Sequence, residues 1–78
     1  MMITQKEQPE INNSQLMDDL TREANYALAS KSKCLVYEAY GMAKMAYRLG
    51  GISWGQFLEL NNHLVVEGLN NPRAELKY

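Results

Sequence analysis

The sequence predicts an all-α protein: a long helix, a Gly-Gly corner and a shorter returning helix, forming a helical hairpin that assembles into an oligomer. Three observations carry this expectation. From Ser14 to Leu49 there is no proline and a single glycine, Gly41, in a stretch rich in Ala, Leu, Met, Glu, Lys and Arg, which are the good helix formers. Apolar residues recur there at helical spacing. The stretch "LGGISWGQF", Leu49 to Phe57, then gathers three of the five glycines beside the only tryptophan.

The elements follow in chain order. Residues 1–13 are polar, with Pro9 and paired Asn12 and Asn13, and are expected to form a mobile arm. A helical domain is expected over 14–69. Leu16, Leu20, Ala24 and Leu28 recur every four residues, and Leu28, Leu35, Met42 and Leu49 every seven. With these last four at d, the a positions include Ala39 and Ala46, small enough for a second helix to approach closely. Leu28, Leu35, Ala39, Met42, Ala46 and Leu49 are therefore the expected oligomer seam. An unbroken helix over this span would run about 54 Å, more than twice what a returning helix of about 14 residues can cover. "SKS", Ser30 to Ser32, is its weak point; one long helix, kinked there, is the preferred reading.

At the corner, Arg48 occupies the last helical turn and Gly50 follows Leu49, a helix stop. Ser53 and Gln56 have the spacing of a capping box, and Ile52 with Phe57 that of a hydrophobic staple. A second helix thus starts at Trp54, with Phe57, Leu58, Leu60, Leu64 and Val65 on its apolar face. Gly68 is expected to end it, with Leu69 folding back on Leu64. Asn70, Asn71 and Pro72 break the chain, leaving 70–78 as a tail or one short turn.

Composition excludes more than it selects. The chain has 78 residues, enough for one small domain, and a net charge of −1 gives no general attraction to nucleic acid or anionic lipid. No apolar run approaches the ~20 residues that span a bilayer, and the N-terminal stretch has no apolar core region of the signal-peptide kind. Cys34 is the single cysteine; the lone thiol fits a reducing, cytoplasmic setting, and its apolar surroundings suggest a buried, inert side chain. The corner lacks the strand before it and the Gly-Lys-Ser/Thr ending of a phosphate loop. Glu59, His63 and Glu67 share one helix face, but adjacent ligands would sit about 6 Å apart along the axis, poorly placed around one ion. No metal, no cofactor and no catalytic residue is expected, so the chain is not expected to be an enzyme.

The most informative surface is on the long helix. Lys33, Tyr37, Tyr40, Lys44, Tyr47 and Arg48 fall within about 100° of one another, opposite the Leu35–Met42–Leu49 seam. Tyrosine interleaved with Lys and Arg marks protein interfaces; it can also stack bases and neutralise phosphates. The plain alternative is that the tyrosines pack on the returning helix while the lysines reach outward.

"RLGGISWGQFLELNNHLV", residues 48–65, resembles the short C-terminal hairpin domain called SHOCT: a helix, Gly-Ile-Thr/Ser, Glu-Phe and spaced leucines. Gly51, Ile52, Ser53, Phe57, Leu60 and Leu64 match in kind, with Gln56 where that family has Glu. Small prophage and mobile-element proteins have similar corners, so the resemblance implies a small helical protein of such an origin. The stretch is also similar to a helix-turn-helix, with an extra glycine in its turn. That likeness would make Trp54, Gln56, Glu59, Asn61, Asn62 and His63 the recognition surface, without any Lys or Arg. Basic residues supply most DNA affinity, so nucleic acid is the weaker expectation. The reading is a non-enzymatic interaction or regulatory protein whose partners are a second copy and another protein, with no membrane; a helix-turn-helix-like DNA-binding regulator is the alternative.

Overall fold

The computed structural model describes residues 13–78. Of the expected N-terminal arm only Asn13 is therefore among the described residues. Three helices follow: α1 (Ser14–Ala29), α2 (Lys33–Arg48) and α3 (Trp54–Asn61). A π-helical segment, Asn62–Leu69, continues α3 without a break, and a 3-10 turn, Pro72–Ala74, precedes the C-terminal residues. There is no strand among the described residues, which are all-α as expected.

The single helix expected over 14–49 is instead two. α1 ends at Ala29, Lys31 takes a left-handed φ of 56°, and Ser32 becomes the N-cap of α2, its hydroxyl accepting from the Leu35 N–H. A non-glycine residue in that region is unfavourable, so other contacts hold it there. The C-terminal strand-like segment supplies them. Lys77 N–H donates to the Lys31 carbonyl at 2.7 Å, and the Lys33 N–H donates to the Lys77 carbonyl at 2.6 Å. The Lys31 ammonium adds a bond to the Ala74 carbonyl at 3.1 Å. The tail is thus a strap over the α1–α2 turn.

Folding back is what the alanines permit. Ala24, Ala27, Val36, Ala39 and Leu64 form one buried cluster; Leu20, Ala43, Ile52, Phe57 and Leu60 form a second. Pairing Leu20 with Ala43 and Ala27 with Val36 makes α1 and α2 antiparallel. Small side chains at the facing positions bring the two axes close. α3 and its π-helical continuation then lie along one side of this pair. Together they run from Trp54 to Leu69, as long as α1 or α2, so the returning element covers its neighbours from end to end.

The corner is built as the spacing predicts. Gly51 N–H donates to the Ala46 carbonyl and Gly50 N–H to the Tyr47 carbonyl, while Gly50 sits at φ 81°. This is a Schellman ending, which needs the left-handed residue glycine supplies. Ser53 and Gln56 make both bonds of the capping box, and Ile52 and Phe57 share a cluster. Asn13 adds a lock that local spacing does not reveal. Its amide donates to the Gln56 Oε1 at 2.7 Å and to the Gly51 carbonyl at 3.1 Å, and the Gln56 amide returns a bond to Asn13. The start of α1 is tied to the start of α3.

Gly68 does not end the returning helix. It is buried within the π-helical segment, which runs one residue further, and Asn70 N–H reaches back to the Val65 carbonyl. A Cβ on Gly68 would stand 2.7 Å from the Leu28 Cδ2. The glycine is there for close packing against α1.

Two substitutions grade this account. Leu64 is fully buried, so Leu64→Ala should lower unfolding stability by about 2–5 kcal/mol. Ser53→Ala removes one cap and should cost about 0.5–2 kcal/mol. Urea titration followed by circular dichroism checks the order; equal losses would contradict it.

Candidate functional site

Two antiparallel helices in contact present a groove on each side. α3 fills one; among the described residues nothing fills the other. It has a volume of about 680 Å³ and is lined by Leu16, Leu20 and Gly51 on one side and Glu38, Gly41, Met42, Met45, Ala46 and Leu49 on the other. Met42, Met45 and Leu49 are 39%, 52% and 78% exposed. Such a contiguous apolar surface on a small domain marks an interaction site more often than chance exposure does.

The α2 wall follows from helical spacing. Glu38, Met42, Met45 and Leu49 recur at i, i+4, i+7 and i+11, one stripe on the side of α2 away from α3. On α1, Leu16, Leu20 and Glu23 form the matching stripe at i, i+4 and i+7. The pairing of Leu20 with Ala43 places Glu23 and Glu38 at nearly the same level across the groove. Neither carboxylate has a hydrogen-bond or ion-pair partner among the described residues. The nearest cation on α1, Arg22, is engaged by Asp19.

Gly41 lies on the α2 wall, exposed and mid-helix. A Cβ there would meet nothing within 4 Å. Glycine in a helix interior is less favourable than alanine by about 1 kcal/mol, and packing among the described residues does not require it.

The seam residues divide. Ala39 is buried, and Leu28 and Leu35 pack against the same cluster inside the chain. Met42, Ala46 and Leu49 line the open groove. The Lys/Tyr stripe divides as well. Tyr40 packs against both clusters, 6.0 Å from the Phe57 ring, and Tyr47 lies 5.3 Å from Trp54 and 5.6 Å from Phe57. The Lys33 ammonium sits 4.8 Å over the Tyr78 ring. Tyr37, Lys44 and Arg48 remain exposed. The six residues thus do not converge on one site, and three of them make contacts within the chain.

Both ring nitrogens of His63 are taken: Nδ1 by Glu67 at 3.0 Å and Nε2 by the Asn25 side-chain oxygen at 2.7 Å. The histidine thereby links the π-helical segment to α1. No group of three His, Cys, Asp or Glu side chains among the described residues is close enough to hold a metal ion. Cys34, expected to be buried, is exposed; it sits in the first turn of α2 facing away from both neighbouring helices. No helix among the described residues is long and apolar enough to cross a membrane. Compared with protein-family models, curated proteins and solved structures, the chain matches none significantly.

Of the α2 wall, the expected oligomer seam contained Met42, Ala46 and Leu49, and it assigned α1 only Leu28, which lies outside the groove. It did not single out Met45, Glu38 or Glu23. The recurrence of Met45 with Met42 and Leu49 at helical spacing was the available signal.

Gly41→Ala should stabilise the free protein by roughly 0.5–1 kcal/mol, since the methyl has open space and removes a helix-interior glycine. A raised thermal midpoint is the expected outcome. A lowered one would show that this face is already in contact with something.

Proposed function

We propose that this chain is a non-enzymatic protein-interaction protein, and that its docking surface, the α1/α2 groove, takes a helix of a partner protein. The observation that carries this reading is the row of exposed Met42, Met45 and Leu49 along an apolar groove. An amphipathic helix laid into a groove is a recurring recognition mode, read as anchors at i, i+3 or i+4, and i+7. Methionine suits it, because an unbranched, polarisable side chain adapts to the surface it meets. The open space at Gly41 supports it further by allowing close approach of a second backbone.

Self-association through the same groove is the second reading. It is favoured by Met42, Ala46 and Leu49, which share the seven-residue recurrence and line the groove. DNA binding through the helix after the corner has less support. Phe57, Leu60 and Leu64 on that helix are buried, its exposed side carries Glu59 and Glu67, and no Lys or Arg occurs between Gly50 and Asn71. A random duplex in a low-salt mobility shift should therefore show no micromolar binding.

The test of the groove uses the full chain with labelled methionine methyl groups. A helical peptide with leucines at i, i+4 and i+7 should shift the Met42 and Met45 signals. Met45→Glu should weaken binding at least about 10-fold, an effect of about 1.4 kcal/mol, with little change in melting temperature because Met45 is exposed. Sedimentation of the free chain at micromolar concentration should give a monomer. A dimer that Met45→Glu dissociates would assign the groove to a second copy. Shifts confined to other methyl groups would overturn the groove as the site.

A further inference from the structure

The groove is not uniform along its length, and its asymmetry says what kind of helix fits. At the end near the glycine corner the walls are Leu16 on α1 and Leu49 on α2, with Ala46 and Gly51 between them. Moving away from the corner the lining passes through Leu20, Met45 and Met42. It ends at Glu38 on the α2 wall; on the other side Glu23, next after Leu16 and Leu20 on the same α1 stripe, lies just beyond the lining. Among the described residues, no Lys, Arg or His lines the groove. Of the cations at that end of the bundle, Lys31 and Lys33 are engaged with the Ala74 carbonyl and the Tyr78 ring, and Lys77 and Arg73 belong to the C-terminal strap beyond the α1–α2 turn. The apolar groove is thus bounded at one end by two carboxylates without a partner among the described residues.

We infer that the partner helix is basic at one end: an apolar stripe of about two turns, followed one turn later by an Arg or Lys that lies between Glu23 and Glu38. The inference rests on the groove being a helix site. From Leu49 to Glu38 is eleven residues, about 16 Å at 1.5 Å per residue, so anchors at i, i+4 and i+7 reach the methionines and a cation at i+11 reaches the carboxylates. Two carboxylates on opposite walls match the fork of a guanidinium better than the point charge of an ammonium. Docking a neutral or acidic end there would bring both carboxylates under a partner without compensation, which is unfavourable. Self-pairing of this face is opposed for the same reason, because among the described residues the lining offers the Glu38 carboxylate and no cation to meet it.

The experiment titrates the full-length protein with three helical peptides that share the i, i+4, i+7 leucine stripe. One has arginine one turn beyond both ends of the stripe, so that either orientation places a cation at the acidic end; the second has glutamine there, and the third glutamate. The arginine peptide should bind about 3- to 10-fold more tightly than the glutamine peptide, and the glutamate peptide more weakly than both. The arginine advantage should shrink between low and high salt, and the double variant Glu23→Gln, Glu38→Gln should abolish it, so that the arginine and glutamine peptides bind that variant equally. Equal binding of the three peptides, with the Met42 and Met45 signals shifting in each case, would overturn the basic partner and leave the helix site standing. Binding of none would overturn both. An arginine advantage that survives the double variant would place the cation elsewhere and overturn the inference.

Discussion

The close contact between α1 and α2 governs the rest of the molecule. It is made by alanines, Ala24 and Ala27 on one helix and Ala39 and Ala43 on the other, all buried. Small residues let two helices approach but contribute little apolar area themselves. Beyond Leu20 and Val36, the larger buried side chains on helices come from a third element: Phe57, Leu60 and Leu64 on α3 and its π-helical continuation. That explains why the corner is so heavily specified. The Schellman glycine, the capping box, the staple and the Asn13–Gln56 amide pair all fix where the third helix begins. A shift of its start would misplace the side chains that fill the α1/α2 pair.

The same contact accounts for the candidate site. Filling one side of a helix pair leaves the other side open unless a further helix covers it. On that open side the chain carries Met42, Met45 and Leu49, where an exposed surface would ordinarily carry polar residues. The strap formed by Lys77 across the α1–α2 turn holds the two walls at their far end, and the tie from Asn13 to Gly51 holds them near the corner. The groove is therefore anchored at both ends within the chain, and docking there as proposed would cost little order.

Much of this was legible in the sequence, for physical reasons that differ by element. The corner is local: glycine, serine, glutamine and the flanking apolar pair act within a few residues, so their spacing suffices. The break at Ser30 to Ser32 is not local. Its left-handed Lys31 is held by Lys77 and Ala74, more than forty residues away, and only the capping Ser32 hints at it. The apolar recurrence from Leu28 to Leu49 was sound as periodicity but silent about its partner, since a stripe at seven-residue spacing fits a second molecule as well as the chain's own neighbouring helix. Leu28, Leu35 and Ala39 met the latter; Met42 and Leu49 did not. Gly68 looked like a helix stop because glycine serves both termination and close packing, and the Leu28 side chain that decides between them lies far off in sequence.

The claim on which this account turns is that the α1/α2 groove is open to solvent in the free chain while the opposite side is filled. Methyl relaxation by a soluble gadolinium chelate measures it directly. The Met42, Met45 and Leu49 methyl groups should relax strongly, with near-complete protection of Leu64 and Val36. Protection of Met42 and Met45 to the level of Leu64 would contradict it, because the face on which the proposed function rests would then already be covered.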